Sequence, residues 1–109
     1  MCEFIKGDFM QISIKIVNLN NIKNILVDTD KDVFLLDAKQ LKTDTMLFAN
    51  RLLGIISSWE KNMINPFIID GESYEIIIQD EPEKLKYVGK NYFPSNYYKF
   101  KNLISEIEN

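Results

Sequence analysis

Histidine is absent from the 109 residues. That removes at once the commonest general acid–base, the commonest metal ligand and every nucleophile pair that relies on an imidazole. Cys2 is the only cysteine, so no intrachain disulfide forms and no thiol pair is offered to a metal; beside Met1 it reads as an incidental thiol. Glycine is confined to Gly7, Gly54, Gly71 and Gly89, scattered singly, which leaves no glycine-rich loop for a phosphate. No apolar run approaches the roughly 20 residues that span a bilayer. The N-terminus lacks the hydrophobic stretch of a secretory signal. The expectation is a cytoplasmic chain with no membrane partner and no cofactor.

What is present suits one folded unit. A hydrophobic content of 46% against 27% charge is too apolar for a disordered chain, and the length accommodates a single domain, 1–109, with one core. The formal charge of −3 is unevenly spread. Asp28, Asp30, Asp32 and Asp37 form one acidic segment, and Asp70, Glu72, Glu75, Asp80, Glu81 and Glu83 a second. From Lys84 to Asn102 the sign reverses, with Lys84, Lys86, Lys90, Lys99 and Lys101 and no acid among them.

Periodicity organises the chain around 43–62. Phe48, Leu52, Ile55, Ile56, Trp59 and Met63 recur three and four apart, the spacing of one helix face, while Asn50, Arg51, Ser57, Ser58 and Lys61 fall opposite. Thr43 or Asp44 is the expected N-cap, and Pro66 ends the helix near Asn62 to Asn65. Gly54 inside it suggests close approach of another backbone. Met10, Ile12, Ile14 and Ile16 alternate with polar residues as in a strand with one buried face. Ile22 to Val27 fits either a helical turn or a short strand, and Val33 to Leu36 reads as extended. Phe67-Ile68-Ile69 and Tyr74 to Ile78 flank Asp70-Gly71, the signature of a tight hairpin with Phe67 opposite Tyr74. Leu85 to Val88 reads as a further strand returning alongside. Pro94 and Ser95 open a last helix with Tyr97, Phe100, Leu103, Ile104 and Ile107 on one face, Ser95 being its expected cap.

These elements predict an α+β fold: a small antiparallel sheet of three to four strands with two main helices packed on one face. Its expected core and structural residues are Trp59, Phe48, Leu52, Ile56, Phe67, Tyr74, Ile76, Pro94, Tyr97 and Phe100.

Three constellations resemble chemistry and fall short of it. Asp28-Thr29-Asp30-Lys31-Asp32 starts like a calcium loop, but the sixth position is Val33 where a glycine bends the loop, and the twelfth is Lys39 where a bidentate Glu is needed. Asp70, Glu72 and Glu75 are explained by turn and surface positions without acid–base work. The interleaving of Lys86, Lys90, Lys99 and Lys101 with Tyr87, Tyr92, Phe93, Tyr97, Tyr98 and Phe100 is how single-stranded nucleic acid is gripped; against it stand the absence of arginine there and the negative total charge.

The segments Ser58-Trp59-Glu60, Ile69-Asp70-Gly71 to Tyr74, and Gly89-Lys90-Asn91-Tyr92-Phe93-Pro94-Ser95-Asn96-Tyr97 leading to Phe100 resemble a group of small immunity-protein-like chains of low-GC bacteria. Some of that group look like immunity proteins encoded beside polymorphic or contact-dependent toxins. The resemblance spans about residues 41 to 107 and carries no catalytic residue. It implies a non-enzymatic inhibitor, monomeric or weakly dimeric, of a cognate protein toxin. A basic nuclease is one such partner, met by the acids Asp28, Asp30, Asp32, Asp37, Asp70, Glu72, Glu75, Asp80, Glu81 and Glu83. Two other expectations stand beside it: an inhibitor of a host defence complex carried by a phage or plasmid, in the manner of an anti-CRISPR protein, and a single-stranded RNA-binding module.

Overall fold

The computed structural model describes residues 10–18, 20–64, 71–80, 83–90 and 93–108. Their order is β1 (Met10–Asn18), β2 (Asn21–Asp28), β3 (Val33–Leu36), β4 (Lys39–Gln40), α1 (Thr45–Ile56), β5 (Asn62–Ile64), β6 (Ser73–Asp80), β7 (Glu83–Lys90) and α2 (Tyr97–Glu108). The strands form one seven-stranded sheet in the order β4-β3-β2-β1-β6-β7-β5. All neighbours are antiparallel except β5 and β7, which run parallel.

The sheet of three to four strands expected from the sequence is therefore corrected to a seven-stranded mixed one. Three features account for the difference. Ile22 to Val27 belongs to a strand, β2; Lys39–Gln40 adds the two-residue edge strand β4; and β5 is a three-residue strand lying where the helix was expected to end. The expected hairpin partner, Phe67 to Ile69, lies outside the described residues. Tyr74 nevertheless pairs with Ile16 on one side and Gly89 on the other, and both edges of β6 are occupied by β1 and β7 along its whole length.

Alternation in β1 and β6 decides which face is covered. Met10, Ile12, Ile14, Ile16, Tyr74, Ile76 and Ile78 point to one side and are buried. On that side they meet Phe48, Leu52 and Ile56 of α1 and Phe100, Leu103 and Ile104 of α2 in one core. Both helices lie on the same face, leaving Ser13, Lys15, Leu26, Glu75, Ile77, Lys84 and Lys86 on the other.

Helix α1 is shorter than its apolar pattern predicts, ending at Ile56. Asp44 is its cap: an Asp44 carboxylate oxygen accepts the Leu47 backbone N–H at 3.0 Å. Gly54 is not a close-approach site, for a Cβ there would meet nothing within 4 Å. The close approach is at Gly89, where a Cβ would lie 2.1 Å from the Tyr74 ring. Ser95 is exposed in the turn ahead of α2, which begins at Tyr97. The loop joining β3 to β4 is two residues long, and both Asp37 (φ 51°) and Ala38 (φ 70°) are left-handed, as a primed hairpin turn requires.

Candidate functional site

Strand order sorts the acids into four different roles. At the end of the sheet where β1 begins, Met10 pairs with Asp80 and Gln11 with Asp28, and Asp80 pairs in turn with Glu83. The ends of β2 and β6 therefore emerge on either side of β1, two strand spacings of about 4.8 Å apart. Asp28, Asp30, Asp80 and Glu83 all lie at that end, Asp28 on the open face by the alternation of β2, and Asp80 and Glu83 on the helix-covered side by that of β6 and β7. Asp28 also shapes its turn: one carboxylate oxygen accepts the backbone N–H groups of Asp30 and Lys31 at 3.0 and 3.1 Å, and the other accepts from the Gln11 side chain at 3.3 Å. Asp30 is exposed and Asp80 half-buried.

Other expected acids serve the fold. Asp32, in a left-handed backbone conformation, accepts the hydroxyl of buried Thr45 at 2.9 Å and so ties the β2–β3 turn to the start of α1. Asp37 accepts the Asn24 backbone N–H at 2.8 Å, holding the outer edge of the sheet. Glu75 stands on the open face, 3.3 Å from Lys86 on the neighbouring strand. Asp70 and Glu81 lie outside the described residues.

Glu72 is the acid furthest from a partner-binding role. It receives the hydroxyl of Tyr97, and the ammonium of Lys101 lies 2.9 Å from both of its oxygens. Burial pushes its carboxyl up, but the hydrogen bonds from Tyr97, Lys101 and Asn18, with the Lys101 charge, outweigh that and leave it below the usual carboxylate range. Tyr97 is driven far above the ordinary phenol value by burial first and by its anionic neighbour second. The group is a structural clamp between the start of β6 and α2.

Beside this clamp lies an aromatic cluster. Trp59 contacts the rings of Tyr74, Tyr97 and Phe100 at centroid distances of 5.3, 5.9 and 5.6 Å, and Phe93 stacks on Tyr97 at 4.5 Å. The Tyr74 hydroxyl is buried here with no hydrogen-bond partner among the described residues, and burial alone raises its pKa to about 12. Pro94 is half-buried at the margin. The residue missed in the sequence is Asn96. Its side-chain oxygen accepts the Trp59 indole N–H at 2.6 Å, and its amide nitrogen donates to the Ile55 carbonyl at 3.0 Å. Nothing in its local spacing announces that bridge, because both partners come from about forty residues upstream.

The basic stretch is divided by the sheet. Lys84 and Lys86 alternate with Leu85 and Tyr87 along β7, so the lysines face outward while Tyr87 enters the core. Tyr97 and Phe100 lie on the covered side with it. Lys84 and Lys86 thus share no surface with Tyr87 that could clamp and stack a nucleic-acid strand, whereas on α2 Tyr98 is exposed and the Lys101 ammonium lies 6.0 Å from the centre of the Tyr97 ring. Among the described residues no group of three or more Cys, Asp or Glu side chains is placed to hold a metal ion, and no helix is long and apolar enough to cross a membrane. The chain matches no family model, curated protein or solved structure.

Proposed function

We propose that this protein is a non-enzymatic inhibitor, of the immunity-protein kind, that neutralises a basic bacterial toxin through the acidic end of its sheet. One observation carries the reading. The acidic ends of β2 and of the β6–β7 pair, some fifty residues apart in sequence, emerge on either side of β1 at one end of the sheet, with Asp28, Asp30, Asp80 and Glu83. Carboxylates held on a rigid sheet end attract a basic groove over several ångströms, accelerate encounter and disfavour neutral partners. They do so with no bond made or broken, consistent with a chain lacking histidine. Glu72, committed to Tyr97 and Lys101, and Glu75, on the open face, are no part of the surface.

The test is co-expression in a bacterial host with the product of the neighbouring gene. Protection by this chain is the expected result, and Asp30→Lys, Asp80→Lys and Glu83→Lys together should slow association by about tenfold or more and weaken its salt dependence. Toxicity that persists in the presence of the folded chain, or an association rate indifferent to the three reversals, overturns the reading.

A further inference from the structure

The face of the sheet opposite the helices carries a second, independent pattern. Its central rows run across β2, β1, β6 and β7: Asp28, Gln11, Gln79, Lys84 in the first; Leu26, Ser13, Ile77, Lys86 in the second; Asn24, Lys15, Glu75, Val88 in the third. Leu26 is 50% exposed and Ile22, further along β2, 54%. None of Ile22, Leu26, Leu35, Ile77 and Val88 joins the core. Such a face, apolar in the middle and charged at its margins, has the composition of an interface.

The arrangement of charge says what covers it. We infer that the face binds a second copy of this chain, across a two-fold axis parallel to the strands and lying between β1 and β6. That rotation sets β1 against the partner's β6 and β2 against its β7. In the first row Asp28 then faces Lys84 of the other copy; in the third, Lys15 faces Glu75. Each pairing occurs twice, as an isologous interface demands, giving four ion pairs with no like charges opposed in these rows. In the second row the small Ser13 leaves a hollow for the other copy's Ile77, and Leu26 lies on the aliphatic stem of Lys86. Shifting the axis onto β1 would instead set Lys15 against itself. Lys15 and Lys84 make no ion pair among the described residues, so both are available for this use.

Two such sheets would pack as an aligned sandwich about 10 Å apart and about 30° off parallel. Four strands about 26 Å long present about 500 Å² of flat face per copy, against about 800 Å² for a standard partner surface. The dimer is accordingly weak and concentration-dependent. Of the acidic sheet end this interface takes only Asp28; Asp30, Asp80 and Glu83 have no place in its rows, and the toxin-binding proposal is tested on those three, so the two inferences fail separately.

Sedimentation of the full chain from about 10 to about 500 µM tests it. The expected result is a mass rising toward two copies. Lys15→Glu alone and Glu75→Lys alone should each weaken association at least about tenfold, since each opposes like charges twice. Mixed in equal amounts, the two variants should recover the two-copy mass, because every facing pair is then of opposite sign. That recovery is specific to contact between copies: within each chain residues 15 and 75 are like-charged neighbours and stay so. Leu26→Thr, which removes the exposed aliphatic chain but puts a β-branched strand former in its place, should weaken association independently of the charges. A one-copy mass for the parent over the whole range overturns the inference and returns the face to a different occupant; so does a failure of two folded variants to recover when mixed.

Discussion

Trp59 and Asn96 are joined at 2.6 Å through the indole N–H and the side-chain amide oxygen, and this bond couples the end of α1 to the start of α2. The indole is 6% exposed and ringed by Tyr74, Tyr97 and Phe100. Trp59→Ala should cost about 3–5 kcal/mol, mostly from the cavity it leaves. Asn96→Ala removes little volume but strands two polar groups, the indole N–H and the Ile55 carbonyl, at about 1–3 kcal/mol each where burial is complete. Urea titrations at constant slope measure both. A loss below about 1 kcal/mol for Trp59→Ala would falsify its central place in the core.

Tyr74 makes the opposite prediction. Its hydroxyl is desolvated with no hydrogen-bond partner among the described residues, so Tyr74→Phe should leave stability unchanged or raise it by up to about 1 kcal/mol. The effect has a pH signature. The folded-state pKa is raised to about 12 from an ordinary value of 10, so between those limits the unfolded chain has lost a proton that the folded chain keeps. Stability contributed at lower pH falls away as the pH climbs through that window, and Tyr74→Phe should flatten the decline. An alkaline unfolding curve identical in slope for both proteins counts against this account.

The two described helix and strand glycines should respond oppositely to alanine. Gly54 is exposed on α1 with open space around it, and Gly54→Ala should stabilise by about 1 kcal/mol through helix propensity. Gly89→Ala drives a methyl into the Tyr74 ring and should cost several times that, by thermal melting or denaturant. Ala38→Gly belongs to the same series: at φ 70° the left-handed backbone costs an alanine about 1–2 kcal/mol, part of which glycine recovers. If Gly89→Ala melts with the parent, the packing of Tyr74 on β7 is wrong.

Acid should act through Glu72. Its folded pKa lies below the usual carboxylate value, so the unfolded chain takes up this proton first as pH falls. The contribution is present in full above the ordinary carboxylate range and is lost as pH drops through the depressed folded value. Glu72→Gln should therefore be less stable than the parent at neutral pH and converge on it in acid. Parallel stability–pH curves for the two would remove Glu72 from the clamp.

Much of the core was readable from period alone. The parity of Met10, Ile12, Ile14 and Ile16 and the stripe through Phe48, Leu52 and Ile56 name residues that the structure buries. β2 resisted because both of its faces carry aliphatics: Ile25 and Val27 turn inward while Ile22 and Leu26 turn outward. Their summed spacing imitates a helical turn. β5 resisted for a different reason, since Asn62–Ile64 has no strand pattern of its own and borrows its pairing from β7. The grouping of the acids depends on strand order, which no local window contains. The separation of Lys84 and Lys86 from Tyr87, by contrast, was available from simple alternation along β7.

The place of β6 has a consequence for how the molecule is made. Its two neighbours are β1, from the beginning of the chain, and β7, from near the end. A nascent polypeptide leaving the ribosome can close the β1–β2 hairpin early, but the middle of the sheet stays unzipped until Ser73–Asp80 has been synthesised. During that interval the inner edge of β1 is unguarded, and the young chain depends on speed or on a chaperone to reach its finished form.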